Sequence, residues 1–244
     1  MSASRSPDDS VAIFRKSWTL YDAITERNYM FHRELYAEVA EQVAQVGRFG
    51  PFRLLDLGCG NARFLAPCLA ATPPVHYEGV DLSAAALAEA REHLKTLPAA
   101  VFHQQDMLQA LEEGESTFEI LFSGFAVHHL DSAAKQRFFH AAARRLKRGG
   151  RFLLMDVVRD EGQSRDEYLR DYLGWMRTTW TEIPVEQLEE ACTHVAAYDH
   201  PEQFSDLVQM ARRAGLTETP LRHRFERHYL VGFVALESSR VNSE

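Results

Sequence analysis

Cysteine is scarce in this chain of 244 residues: Cys59, Cys68 and Cys192 are the only three. Their spacing matches neither a zinc nor a redox motif, so a disulfide framework and a cysteine-built metal site are both excluded as organising features. A reducing, cytoplasmic setting is the expectation. No apolar run reaches the length needed to cross a bilayer. The first ten residues, Met1 to Ser10, lack the apolar core of a secretory signal and read as a disordered tail. Positive charge is also short: the net charge is −8, which argues against a phosphate backbone as partner. Internal repeats are missing, and no low-complexity segment follows the tail. What remains is an ordinary 45% hydrophobic composition in a length that suits one α/β domain, or one domain with an insertion.

The most informative stretch is Leu54-Leu55-Asp56-Leu57-Gly58-Cys59-Gly60-Asn61-Ala62-Arg63-Phe64. An apolar run ends in an acid, a glycine-rich turn follows, and a helix is expected next. Glycine lets backbone approach a ligand closely, and a helix N-terminus offers unbonded N–H groups. Val80-Asp81-Leu82-Ser83 comes about twenty residues later, where a βαβ nucleotide site places its ribose-binding acid. A carboxylate can accept from two hydroxyls side by side, which suits Asp81 to that role. Gln105-Asp106-Met107 and Phe122-Ser123-Gly124-Phe125 close two further apolar runs.

With these residues the chain resembles the class I S-adenosylmethionine-dependent methyltransferases of the small-molecule type, over roughly residues 20 to 236. The resemblance rests on Leu54 to Phe64, Asp81, Asp106 and Val127-His128-His129-Leu130. One departure is mild: the family's third motif glycine is Ala62 here. The resemblance implies S-adenosylmethionine as cofactor and S-adenosylhomocysteine as product. It implies that Asp56, Gly58, Cys59 and Gly60 face the methionine end, where a cationic amino group favours a carboxylate. Asp81 and Leu82 then meet the ribose, Asp106 the adenine amine, and Met107 and Ser123 the ring and its surroundings. N-terminal helices lie over the cofactor in this family, which brings Tyr21 and Tyr29 toward the reacting centre, with His32 beside the substrate.

Periodicity gives helices over 8–20 and 26–46, where Phe31, Leu35, Val39, Val43 and Val46 recur at helical spacing. Strands are expected at 52–57, 75–80, 99–104, 118–123 and 151–158. Helices are expected at 62–71, after the Ser83 cap, from Asp131 or Ser132 to Gly149-Gly150, and at 203–214. Two closing strands, 221–227 and 229–237, read as an antiparallel pair, which matches the family's sheet ending. The expected fold is α/β: a doubly wound, mostly parallel seven-stranded sheet, Rossmann-like, with an N-terminal helical cover and a helical lid insertion. Its expected parts are a tail (1–10), the cover (11–50), the cofactor-binding core (51–158), the lid (159–202), and a C-terminal helix with the strand pair (203–237).

Several residues admit two readings. His128-His129 sits on the rim after the fourth strand and is either catalytic, with Tyr29, or structural. A metal site is not expected there, since adjacent side chains diverge and no third ligand is implied. Arg63 either fixes the loop, reaches a carboxylate, or is a solvated helix residue. Arg144 to Arg148 reads as a helix C-terminus whose cations oppose the dipole, rather than a nucleic-acid patch. In the insertion, Tyr168, Tyr172 and Trp175 share a helical face at i, i+4 and i+7, with Trp180 nearby. Those rings either wall a substrate pocket or pack on the domain.

The expected activity is methyl transfer to nitrogen, oxygen or sulfur of a small aromatic or heteroaromatic molecule. Two alternatives stand beside it: an enzyme using a carboxylated sulfonium, for which Arg63 is the nearby cation, and a non-enzymatic cofactor-binding protein. The expected partners are a small molecule, no nucleic acid and no membrane, in a monomer or homodimer.

Overall fold

The computed structural model describes residues 20–235. The tail, most of the first expected helix with Trp18, and the last two residues of the closing strand lie outside them. Residues 20–26 are helical (α1), and α2 (His32–Gly47) follows. The helix expected over 26–46 is therefore corrected to start at His32, with the preceding helix running on through residue 26. Asn28 and Phe31 adopt left-handed backbone (φ 58 and 56), and the Asn28 side chain takes the Arg33 N–H at 3.0 Å and donates to Glu34 at 2.7 Å. Local bonding of this kind competes with the helix ladder.

The chain then alternates: β1 (Arg53–Leu57), α3 (Leu65–Ala71), β2 (His76–Asp81), α4 (Ala84–His93), β3 (Ala100–Gln104), α5 (Met107–Glu113), β4 (Phe118–Gly124), α6 (Ser132–Arg145) and β5 (Leu146–Val157). After them come α7 (Arg165–Thr179), α8 (Val185–Tyr198), α9 (Phe204–Arg213), β6 (Leu216–Phe225) and β7 (His228–Ala235). The sheet has seven strands in the order β3-β2-β1-β4-β5-β7-β6; β1 to β5 are parallel, and β7 runs antiparallel to both neighbours. Strand β1 pairs with β2 on one edge and β4 on the other, so the chain reverses direction across the sheet there. Ligands of doubly wound sheets bind beyond the strand C-termini at such a point.

Central strands are buried on both faces, which explains their nearly unbroken apolar runs. One core joins Leu55, Leu121 and Phe152 to α5, α6 and α9; the other joins Leu54, Ile120 and Leu153 to α2, α3 and α4. A third cluster joins Leu20 and Ile24 of α1 to Tyr168, Tyr172, Met176 and Trp180 of the insertion, over Val157 at the end of β5. The insertion is thus two helices with a small core of their own. A capping box starts α7, with the Ser164 hydroxyl taking the Glu167 N–H and Glu167 reaching back.

Other boundaries differ from expectation for identifiable reasons. Helix α3 starts at Leu65 rather than Ala62, because Ala62 is left-handed (φ 54). Helix α6 stops at Arg145; the two glycines belong to β5, where Gly149 (φ 73) lies near a register shift between Phe118 and Ile120. Of the basic run, only Arg144 and Arg145 are helical. Arg145 is buried and donates to the Ser116 and Ala110 carbonyls, and Lys147 pairs with Glu119 at 2.5 Å. Strand β6 begins at Leu216, not Leu221. Its pairing slips between Glu218 and Arg222, around Pro220, as an edge strand permits.

Candidate functional site

The glycine turn is stitched to the end of β2. The N–H groups of Gly58 and Cys59 both donate to the Val80 carbonyl, at 2.9 and 3.0 Å. Asp81 Oδ2 accepts from Gly60 N and Oδ1 from Ser83 N, each at 2.8 Å. Gly58 and Gly60 take positive φ, 71 and 52, and a Cβ on Gly58 would stand 2.5 Å from that of Ala126. Glycine is demanded at 58 by packing against the loop after β4 as well as by its dihedral. Ala62 carries a left-handed angle (φ 54) that glycine would take more easily, so the departure in the motif costs backbone strain.

Asp56 lies beneath the turn, 2% exposed, and its carboxylate accepts from the Tyr77 hydroxyl at 2.8 Å. Burial raises its pKa to about 7, the Tyr77 bond pulls it down, and Asp81 pushes it up. A carboxylate so situated calls for a cation. Asp106 caps α5, its Oδ1 taking the Leu108 and Gln109 N–H groups, each at 2.9 Å.

These residues open on a cavity of about 440 Å³ lined by Asp56, Gly58, Cys59, Gly60, Arg63, Asp81, Leu82, Asp106, Met107 and Tyr21, among others. Ten of the eleven residues expected at the cofactor are brought to one wall system. The exception is Ser123: it is fully buried and donates its hydroxyl to the Leu57 carbonyl at 2.8 Å, tying β4 to β1. Arg63 pairs with Asp22 at 3.1 Å and Glu26 at 3.5 Å, pinning α1 over the turn.

A second cavity of about 670 Å³ lies between α1, α7 and α8. Leu20, Ile24, Met30, Val157, Tyr172, Met176 and Trp180 give it apolar walls, with Glu186, Glu189 and Glu190 also lining it. Tyr21, Phe125, His129, His194 and Tyr198 line both cavities. Of the residues expected at the substrate, Tyr172 and Trp180 are on this wall. Tyr168, Trp175 and His32 are not, because they pack elsewhere. Tyr168 stacks on Tyr172 (centroids 5.2 Å apart), and Tyr172 on Trp175 (5.6 Å). His32 is fully buried, bonded to the Tyr21 hydroxyl at 3.0 Å, and burial lowers its pKa to about 3. Tyr29 is likewise off both walls: its hydroxyl accepts from Glu182 N at 3.1 Å and its ring stacks on Trp180.

His128 and His129 stand where the cavities meet. Asp156, at the end of β5, takes the His128 backbone N–H at 2.9 Å and holds His128 Nδ1 at 2.5 Å. On the other side His128 Nε2 lies 3.7 Å from Asp199, whose Oδ1 also lies 3.8 Å from His129 Nδ1. Burial pulls the His128 pKa down, but Asp156 and Asp199 more than offset this and raise it to about 9. His129 is held well below its ordinary value by burial and by the neighbouring His128. Burial raises Asp199 to about 6, with His128 opposing. The two adjacent imidazoles do not diverge: their centroids are 4.0 Å apart, and Asp199 supplies the third group that the sequence did not imply. Sequence reasoning missed Asp156 and Asp199. Asp156 carried a weak signal, an acid ending an apolar strand; Asp199 carried none.

A protein-family profile described as a methyltransferase domain matches residues 54–150. The chain is 27% identical over 121 residues to malonyl-acyl-carrier-protein O-methyltransferase of Halalkalibacterium halodurans, covering 48% of this chain and 44% of that protein. It is 28% identical over 171 residues to phosphoethanolamine N-methyltransferase 1 of Triticum aestivum, covering 68% of this chain and 33% of that one. The chain thus spans less than half the length of either relative. Among solved structures, magnesium protoporphyrin IX methyltransferase of Synechocystis with bound S-adenosylhomocysteine superposes with a TM-score of 0.62 at 12% identity, over 93% of this chain and 99% of that one. At that identity the likeness is one of fold. No helix among the described residues is long and apolar enough to cross a membrane. Over residues 54–150 the chain matches a methyltransferase domain, and its glycine turn and sheet order are similar to those of the class I S-adenosylmethionine-dependent methyltransferases.

Proposed function

We propose that this chain transfers the methyl group of S-adenosylmethionine to a nucleophilic nitrogen, oxygen or sulfur of a small, planar aromatic or heteroaromatic molecule held in the second cavity. The observation that carries the reading is the junction: a chamber lined by the nucleotide-site acids adjoins an apolar chamber, the two sharing Tyr21, Phe125 and His129 as lining. In this reading Asp56 neutralises the cofactor's amino group, Asp81 receives the ribose, Asp106 offers its second carboxylate oxygen to the adenine amine, and Met107 packs on the ring. The bound sulfonium supplies an activated methyl group. The chain's own work is to align the acceptor, exclude water and receive a proton where the nucleophile carries one. The cluster His128, His129 and Asp199 is the group at the junction able to take that proton, with Asp156 fixing the His128 ring.

Charge sorts the acceptors. Among the described residues the lining of the second cavity includes Glu186, Glu189 and Glu190 and neither lysine nor arginine, although Glu189 is paired with Arg177 at 2.7 Å. A phosphate-bearing acceptor, as the name of the wheat relative suggests for that protein, would meet carboxylates where it needs cations. A neutral or cationic ring fits the apolar walls, with Tyr172 and Trp180 offering their faces. A carboxylated sulfonium is disfavoured, because Arg63 is committed to Asp22 and Glu26. A cytoplasmic location fits the three free thiols, all buried. The fate of the basic run fits the absence of a nucleic-acid partner.

The test is transfer of labelled methyl from S-adenosylmethionine to a panel of aromatic amines, phenols and N-heterocycles, with phosphoethanolamine as comparator. The expected result is turnover of ring acceptors alone. Methylation of phosphoethanolamine in their place would overturn the acceptor class. Calorimetric binding of the cofactor with no turnover of any acceptor would favour the non-enzymatic binding protein.

A further inference from the structure

We propose that His128 Nε2, His129 Nδ1 and Asp199 Oδ1 form a site for one divalent first-row transition ion, of the zinc, cobalt or iron(II) kind, where the two cavities meet. The three ligand atoms lie within 4.8 Å of one another. In a tetrahedral ion with bonds of about 2.1 Å, neighbouring ligand atoms are about 3.4 Å apart. The observed 3.7 and 3.8 Å from Asp199 Oδ1 to the two nitrogens need only a few tenths of an ångström of closure.

Two further observations point to a ligand. Asp199 is 4% exposed, and among the described residues its Oδ1 has no hydrogen-bond partner, so a buried carboxylate oxygen lies beside the two rings with no described group bonded to it. An orphaned buried acceptor is costly unless something fills the space before it. His128 is also oriented as a ligand should be. Its Nδ1 is held by Asp156, which leaves the Nε2 lone pair facing Asp199, the arrangement in which a carboxylate fixes the tautomer of a metal-bound histidine. An ion that takes the place of the proton on His128 Nε2 has the Asp199 and Asp156 carboxylates to balance its double charge. Two histidines and one carboxylate leave coordination positions open, and His129 lines both cavities, so water or an acceptor oxygen has room there.

The proposal competes with the proton-accepting role given to this cluster above, since a bound ion would occupy the same lone pairs; its test reads metal rather than turnover, so the two readings can fail separately. Untagged full-length protein, stripped with a chelator, is titrated with cobalt(II) and followed by its visible ligand-field absorption, with bound metal counted by mass spectrometry. One cobalt per chain is expected. Asp199→Asn and His129→Ala should each weaken binding by about 100-fold or more, and Asp156→Asn by roughly 10- to 100-fold. His103→Ala, on an exposed strand outside the site, should leave it unchanged. His129 has a side chain 30% exposed, so its truncation spares the core, and circular dichroism checks each variant's fold. Failure of the wild type to saturate, with the space between His128 and Asp199 holding only a proton, would overturn the proposal. So would binding that survives both Asp199→Asn and His129→Ala.

Discussion

Alanine at position 58 is a demanding test of the turn. Two costs add. A non-glycine residue at a φ of 71 loses about 1–2 kcal/mol to left-handed backbone. The new methyl would lie 2.5 Å from the Ala126 Cβ. Carbon atoms in contact prefer about 3.5–4.0 Å, so the turn and the loop after β4 must part by about 1 Å or more. Overpacking of that kind costs about 1–3 kcal/mol. Gly58→Ala should therefore lose about 2–5 kcal/mol, or roughly 4–20 °C in thermal midpoint for a chain of this size. Gly215→Ala is the matched control. Its φ is 83, but nothing lies within 4 Å of the added Cβ. It should show the dihedral cost alone, about 1–2 kcal/mol. Differential scanning fluorimetry reads the stability of both, and calorimetry with S-adenosylhomocysteine reads the site. Gly58→Ala should also weaken the cofactor, because the displaced turn carries the Gly60 N–H bonded to Asp81; Gly215→Ala should not. Equal stability losses in the two variants would refute the close approach of the two loops.

Three further outcomes are expected. Asp56 gives up its proton near 3.8 when the chain is unfolded but only near 7 when folded without cofactor, so the folded state holds the extra proton between those values. Its contribution to stability is therefore full below 3.8 and falls as pH rises through 7, and Asp56→Asn should gain on the wild type in thermal midpoint from about pH 5 to about pH 8. Parallel midpoint curves would show that burial does not raise this carboxyl. Trp180→Phe keeps a ring on the second cavity but shrinks it; acceptor KM should rise roughly tenfold while S-adenosylhomocysteine affinity stays within about threefold, and equal losses in both would make Trp180 a core residue only. Arg63→Ala should cost no more than about 1 kcal/mol, less at high salt, because its pairs with Asp22 and Glu26 are solvent-exposed; a larger, salt-independent loss in denaturant melts would mean that α1 depends on it.

What was legible in the sequence was local. Asp56, the two turn glycines and Asp81 sit at strand ends, and strand ends announce themselves where an apolar run stops. Their spacing carries over to space because a βαβ unit has nearly one geometry. Periodicity found the face of Tyr168, Tyr172 and Trp175 but could not say what faced it. A face at i, i+4 and i+7 is the same string whether it meets a cavity or a neighbouring helix, and here only Tyr172 does both. Boundaries failed where single residues adopt left-handed backbone without being glycine, as at Phe31 and Ala62, since no residue type advertises that strain.

The junction was hidden for another reason. His128 was visible as a rim residue, but its chemistry depends on Asp156 and Asp199, which reach it from β5 and from the end of α8. Between two carboxylates an imidazole is pushed to about 9, whereas the adjacent His129, with the same side chain on the same turn, is held far below its ordinary value. At neutral pH His128 is then protonated and His129 neutral, although they are adjacent in the sequence. Only the return of the insertion toward the sheet distinguishes them: the His200 N–H donates to the His128 carbonyl at 2.8 Å, which anchors Asp199 beside the rings. The insertion that builds the apolar chamber therefore also supplies the acid that completes the cluster. Acceptor pocket and junction chemistry should then change together when α8 is altered, while the glycine turn and Asp81 stay as they are.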